Sequence, residues 1–225
     1  VKLSCQRHFD DIEAGIYTFN PVKAEHACQF VSLLPHIRGT WKTKRLQLEP
    51  WQCFFLCSVF GWMNEEGYRR YTRASLYVPR KNGKSFLGAA IGLYMLCADN
   101  EPGAEIFCGA TSEDQALKVF TPARLMVMRT PELKQAFGVD VNVKNINVLE
   151  TGSRFEPLIG NPGDGDNPHL AIIDEYHEHR TADQYNSMRS GMGARKQPLL
   201  LVITTAGSDL GSPCYSEFMG CQDVL

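Results

Sequence analysis

The chain has 225 residues, 44% of them apolar, with a formal net charge of −2. That suffices for the core of one α/β domain and leaves little room for a second catalytic one. No apolar run approaches the ~20 residues of a membrane helix, and the charge balance argues against a whole-domain electrostatic grip on nucleic acid, which needs clustered positive charge.

Local basic clusters remain at Arg38, Lys42, Lys44 and Arg45 and at Arg69, Arg70 and Arg73, each read first as solvated surface. The start, Val1-Lys2-Leu3-Ser4-Cys5, carries no secretory signal, and its lack of Met points to trimming or a fragment. The eight cysteines include no Cys-x-x-Cys pair, so they are expected to be reduced thiols in a cytosolic protein. Cys53 and Cys57 read as buried free thiols.

Residues 1–50 show only a weak helical pattern, near Ala24–Leu34, closed by Pro35. Residues 50–63 predict a buried helix with Pro50 in its first turn. Short apolar strands and helices then alternate. Ala74–Val78 is a strand, Lys84–Ala98 an apolar helix and Ala104–Gly109 a strand. A long helix starts at Ser112, where Ser112-x-x-Gln115 resembles a capping box, and runs through Met128; Pro131–Phe137 adds a short one. Ile146–Glu150 and Arg154–Ile159 predict a hairpin. Asn161–Pro168 is a loop, Leu170–Ile173 a strand, Ala182–Met192 a helix and Leu199–Ile203 a strand. This order implies a three-layer α/β sandwich with a mostly parallel central sheet between helices.

The chemistry concentrates in four segments. In Val78-Pro79-Arg80-Lys81-Asn82-Gly83-Lys84-Ser85 a strand turns through Gly-Lys-Ser into a helix, so backbone N–H groups at the helix start face anionic oxygens. Lys84 would reach β- and γ-phosphates and Ser85 would hold Mg²⁺. The Gly usual five residues before the Gly-Lys pair is Val78 here. In Leu170-Ala171-Ile172-Ile173-Asp174-Glu175 a buried strand presents two carboxylates at its C-terminal end, where open α/β sheets bind ligands. Asp174 is the expected Mg²⁺ partner and Glu175 the base for an attacking water. Thr204 and Thr205 follow the strand Leu199–Ile203 and could sense the γ-phosphate. Gln52 could read an adenine edge, whereas Trp51 reads as core. His177 and His179 read as structural or exposed rather than metal-binding, and Asp164 and Asp166 as turn formers.

Four motifs in this order, Leu48–Gln52, Val78–Ser85, Ala171–His179 and Ile203–Ser208, resemble the large terminase subunit of tailed bacteriophages, nearest its HK97-like branch. The likeness spans roughly residues 45–210. It implies a P-loop NTPase fold of the ASCE (RecA-like) class and a motor that uses ATP and Mg²⁺ to drive double-stranded DNA into a procapsid. It also implies a homo-oligomeric ring, partnered by a portal protein and a small terminase subunit, in the host cell cytoplasm. Phosphate loops of this family commonly carry an early Arg, and Arg80 fits that place, with Lys81, Asn82 and Gly83 completing the cradle. The resemblance assigns Lys84, Ser85, Asp174 and Glu175 as above, Thr204 and Thr205 to coupling and Gln52 to adenine. The Arg supplied to a neighbour's ATP is left among Arg154, Arg189 and Arg195.

About 20 residues follow Thr205, too few for the RNase-H-like nuclease of full-length relatives. The expectation is a single ATPase domain: 1–45 an extension, 46–210 the core, and 211–225 a tail toward an absent nuclease. A helicase-type ATPase, or a nucleotide-dependent assembly module with little activity alone, remain the alternatives.

Overall fold

The structure, a computed structural model, describes residues 2–37, 39, 45–110, 112–159 and 166–225. Arg38, Lys42, Lys44 and Asp164 lie outside them. The elements are α1 (Lys2–Ala14), β1 (Thr18–Phe19), α2 (Pro21–Leu33), α3 (Pro50–Gly61), β2 (Trp62–Met63), β3 (Arg73–Tyr77), α4 (Lys84–Cys97), β4 (Glu105–Ala110), α5 (Glu113–Met128), α6 (Pro131–Phe137), β5 (Val139–Val141), β6 (Ile146–Val148), β7 (Ser153–Ile159), β8 (Leu170–Asp174), α7 (Asp183–Gly191), β9 (Leu199–Thr204) and α8 (Pro213–Val224).

Among the described residues the main sheet has seven strands, in the order β3-β9-β8-β4-β7-β6-β5. The first five run parallel. β7, β6 and β5 form an antiparallel meander, with the expected hairpin pairing Ile146 to Phe155 and Val148 to Ser153. β5 is an unforeseen strand, whose three residues are too few to show a period.

Every residue of β8 and β9 is buried, which is why both read as unbroken apolar runs. Their side chains alternate between two cores. Leu170, Ile172, Leu199, Leu201 and Ile203 join the main core with α2 to α5. Ala171, Ile173, Leu200 and Val202 join a smaller one with Tyr176, Tyr185, Met188 and Cys214. α4 is enclosed along Leu87–Leu96, as a helix apolar on all sides should be. At Gly88 a Cβ would sit 2.8 Å from Cδ1 of Ile203, so the missing side chain lets α4 lie close on β9.

Three expectations need correction, and one helix was unforeseen: α8 occupies Pro213–Val224. Ser212 caps it by accepting the Tyr215 N–H at 3.2 Å, and Pro213 fills its first turn. α8 docks on the sheet edge: Phe218 meets the Tyr77 ring edge-on at 5.1 Å, and Glu217 accepts from the Ser75 and Tyr185 hydroxyls at 3.1 Å each. α1 also arises in the stretch that showed no pattern, and α2 starts at Pro21 because Asn20 accepts the Lys23 N–H at 3.1 Å. α3 stops at Gly61, after which Trp62 and Met63 pair with β1.

The third correction concerns the second basic cluster, of which only Arg73 is exposed. Arg69, 3% exposed, grips Asp99 with two guanidinium nitrogens, and His169 Nε2 lies 2.7 Å from the same carboxylate. Burial pushes the Asp99 carboxyl up, but the Arg69 charge and the His169 hydrogen bond outweigh it and hold it below its ordinary range. Arg70 pairs with Asp11 at 2.7 Å and lies over the Tyr17 ring.

Candidate active site

β9 lies between β3 and β8, so Tyr77 stands opposite Thr204 and Asp174 opposite Ile203. Three segments distant in sequence therefore end side by side at the carboxyl edge of the sheet.

At the end of β3 the Val78 N–H donates to the Thr204 carbonyl at 3.0 Å, and the chain then leaves the sheet. The Asn82 amide ties the turn, donating to the carbonyls of Pro79 (3.2 Å) and Arg80 (3.3 Å). Gly83 precedes α4 at φ +74°, a left-handed conformation open to glycine without penalty. It provides no side-chain cap, and nothing lies within 4 Å of where its Cβ would stand. The first N–H groups of α4 are thus left for an outside acceptor, and the helix dipole favours an anion there. Arg80, Lys81, Asn82 and Gly83 are exposed at the rim.

Lys84 points inward and is 6% exposed, its ammonium 3.0 Å from Glu175 Oε1. The Ser85 hydroxyl donates to Asp174 Oδ2 at 3.0 Å. Asp174 is 1% exposed. Burial raises its pKa to about 6; the Glu175 charge adds to the rise, and the Ser85 hydrogen bond and Lys84 charge oppose it. Glu175 has φ +50°, a strained value for a side chain with a Cβ. Its N–H donates to the Ile203 carbonyl and lies near Asp174 Oδ1, both at 2.9 Å. Its Oε2 is buried without a hydrogen bond, 3.4 Å from His177 Nδ1.

Thr204 and Thr205 are both buried. The Thr204 hydroxyl accepts the His177 N–H at 3.1 Å and lies 3.0 Å from His177 Nδ1. His177 therefore packs against these residues; its place in the acidic motif was the one signal, but only the fold shows where its ring goes. A cleft of about 650 Å³ opens beside these groups, lined by Val78, Pro79, Arg80, His177 and Thr205 among others.

Gln52 is not drawn into this cluster. Its side-chain oxygen accepts the Glu49 N–H at 2.9 Å, which caps the start of α3. Arg154 is held among Glu105, Glu156 and Asp166. Arg195 bonds Glu101 at 2.9 Å and the carbonyls of Asn167 and Gly103. Arg189 is exposed near the end of α7. Chemically, the cluster offers a buried cation beside an anion cradle, a hydroxyl–carboxylate pair of hard oxygens suited to Mg²⁺, and a second carboxylate with a spare lone pair for a proton.

Comparison with known proteins fits this arrangement. The profile of the family "Terminase large subunit, ATPase domain" matches residues 50–222. The large terminase subunit of Enterobacteria phage HK97 is 31% identical over 169 residues, covering 73% of this chain and 32% of that protein. Protein YmfN of Escherichia coli K12 is 56% identical over 55 residues, covering 24% of this chain and 12% of that protein. The chain thus spans well under half the length of both. Among solved structures, the HK97 large terminase superposes with a TM-score of 0.75 at 27% identity, over 89% of this chain and 42% of that one. The ATPase domain of the Thermus phage P74-26 large terminase shares the fold, with a TM-score of 0.55 at 17% identity over 72% of this chain and 67% of that one. The chain belongs to the family of terminase large subunit ATPase domains.

Proposed function

We propose that this domain binds and hydrolyses ATP to drive double-stranded DNA into a procapsid. The observation that carries the reading is the meeting of Lys84, Ser85, Asp174 and Glu175, with Lys84–Glu175 and Ser85–Asp174 each at 3.0 Å.

Phosphates would lie against the open N–H groups of α4, with Lys84 exchanging Glu175 for their charge and Arg80 reaching in from the rim. The residues fit Mg²⁺: Asp174 and Ser85 offer two hard oxygens, and the raised pKa of Asp174 marks a buried carboxylate short of positive charge. Bound there, the ion would neutralise phosphate charge as the bond to the leaving group breaks. Once released from Lys84, Glu175 would orient a water in line with the γ-phosphorus and take its proton as oxygen attacks, giving ADP and phosphate. Thr204 and Thr205 would carry the change into β9.

The family resemblance supports a homo-oligomeric ring, docked through a portal protein and a small terminase subunit in the host cytoplasm. With Arg154 and Arg195 held in ion pairs, Arg189 is the remaining exposed candidate for a neighbour's site. The test is ATP turnover with and without double-stranded DNA. Glu175→Gln should keep nucleotide binding and lose turnover by orders of magnitude, and Lys84→Ala should weaken both. A Glu175→Gln protein that turns over like the parent removes the assigned base.

A further inference from the structure

We propose that His177 is a positioning residue that holds Glu175 in register with Thr204 and Thr205, so that the hydrolytic base and the strand expected to move form one mechanical unit. This rests on the ATPase reading above and adds a residue to it.

Proton bookkeeping fixes the imidazole. The Thr204 hydroxyl lies 3.0 Å from the Thr205 carbonyl oxygen. Between two oxygens only the hydroxyl can supply the proton, so Thr204 Oγ1 donates there and must accept everywhere else. It accepts the His177 backbone N–H at 3.1 Å, and the Nδ1 contact at 3.0 Å therefore requires the proton on Nδ1. The Nδ1 atom also lies 3.4 Å from Glu175 Oε2, the buried oxygen that lacks a hydrogen bond. One donor thus stands between an already engaged hydroxyl and an unsatisfied carboxylate. The Thr205 hydroxyl lies 3.4 Å from both ring nitrogens, and Nε2 is 3.8 Å from Glu178 Oε1.

The ring has little freedom to do otherwise. Its side chain is 12% exposed. The Cβ that Gly207 lacks would come within 3.1 Å of His177 Cβ, so the loop after Thr205 closes directly on it. Glu175 is held by Lys84 through Oε1. When Lys84 turns to phosphate, the His177 N–H is the donor left to aim the carboxylate. A change in where Glu175 points then reaches Thr204 through the same nitrogen.

Two isosteres separate this role from simple packing. Asn places an amide nitrogen near the Nδ1 position, and Gln places one near Nε2. His177→Ala should lower kcat for ATP at least tenfold while the Kd of a fluorescent ATP analogue changes less than threefold. His177→Asn should recover several-fold of that loss, and His177→Gln should recover less. Equal turnover for Ala and Asn, or an Ala variant within twofold of the parent, overturns the proposal. So does a loss that appears in Kd and not in kcat. Glu175→Gln is measured alongside: if it retains parental turnover, the ATPase assignment itself fails and this inference with it. If it is inactive while His177→Ala turns over normally, only the inference fails.

Discussion

Replacing Asp174 by asparagine should make the nucleotide-free protein more stable. Asp174 is enclosed at the end of β8, and burial, with the charge of Glu175 beside it, lifts its pKa from 3.8 to about 6. The folded state therefore holds the proton more tightly than the unfolded chain. The contribution of Asp174 to stability is at its fullest below about pH 4 and is lost as the pH rises through about 6. A shift of that size corresponds to roughly 3 kcal/mol at neutral pH, falling to about half at pH 5. Asparagine can accept the Glu175 N–H with its oxygen, donate its amide to a Ser85 hydroxyl that rotates to accept, and carries no charge, so most of that cost should disappear. For a chain of this size a gain of about 2–3 kcal/mol raises Tm by roughly 5–10 °C. The measurement is thermal unfolding of both proteins at pH 5 and pH 7.5 without nucleotide, repeated at pH 7.5 with ATP and Mg²⁺. The Asn variant should lead at pH 7.5, lead by less at pH 5, and gain little from ATP and Mg²⁺, which should stabilise the parent. An Asn variant less stable than the parent at pH 7.5, or a difference independent of pH, would show that the buried Asp174 charge carries no such cost. The cost is what a site held ready for a cation should carry.

Removing the Asp99 carboxylate should be severe: Asp99→Ala leaves Arg69 and His169 facing each other in the interior and should cost about 3–5 kcal/mol in denaturant unfolding. Because the Asp99 pKa is lowered, its contribution is complete above about pH 4 and fades as the pH falls through the lower folded value. Gln52→Ala should cost about 1 kcal/mol by opening the cap of α3; if Gln52 also reads adenine, the preference for ATP over GTP should fall, and an unchanged preference leaves it a cap alone. Gly88→Val should destabilise by about 1–3 kcal/mol, since a Cβ already meets Ile203 at 2.8 Å; unfolding at unchanged Tm would show that α4 can lift from β9.

Much of the architecture is local and so was legible. The apolar runs 170–173 and 199–203 are buried on both faces, and no competing period obscures them. Gly83-Lys84-Ser85 between a strand and an apolar helix marks an anion cradle because its chemistry lies in consecutive backbone N–H groups. α8 was missed although Ser212-Pro213 carries its cap, since one buried residue in twelve leaves no apolar stripe to read. Arg69 and Arg70 read as surface because a charged side chain is legible only with its partner, and Asp99 and Asp11 lie 30 and 59 residues away.

The sequence by itself determined which residues could bind phosphate, cation and water, because those capacities belong to side chains and to short runs of backbone. Which of them meet was decided by one non-local pairing, β9 between β3 and β8, which sets Tyr77, Asp174 and Thr204 at a common edge. Arg73 of β3 pairs with Leu200, 127 residues on, and Leu170 of β8 with Leu199, 29 residues on, so no short window along the chain contains the pairing. The same pairing brings His177 to Glu175 and Thr204, a contact set by three-dimensional register and by the exclusion of water from the buried edge.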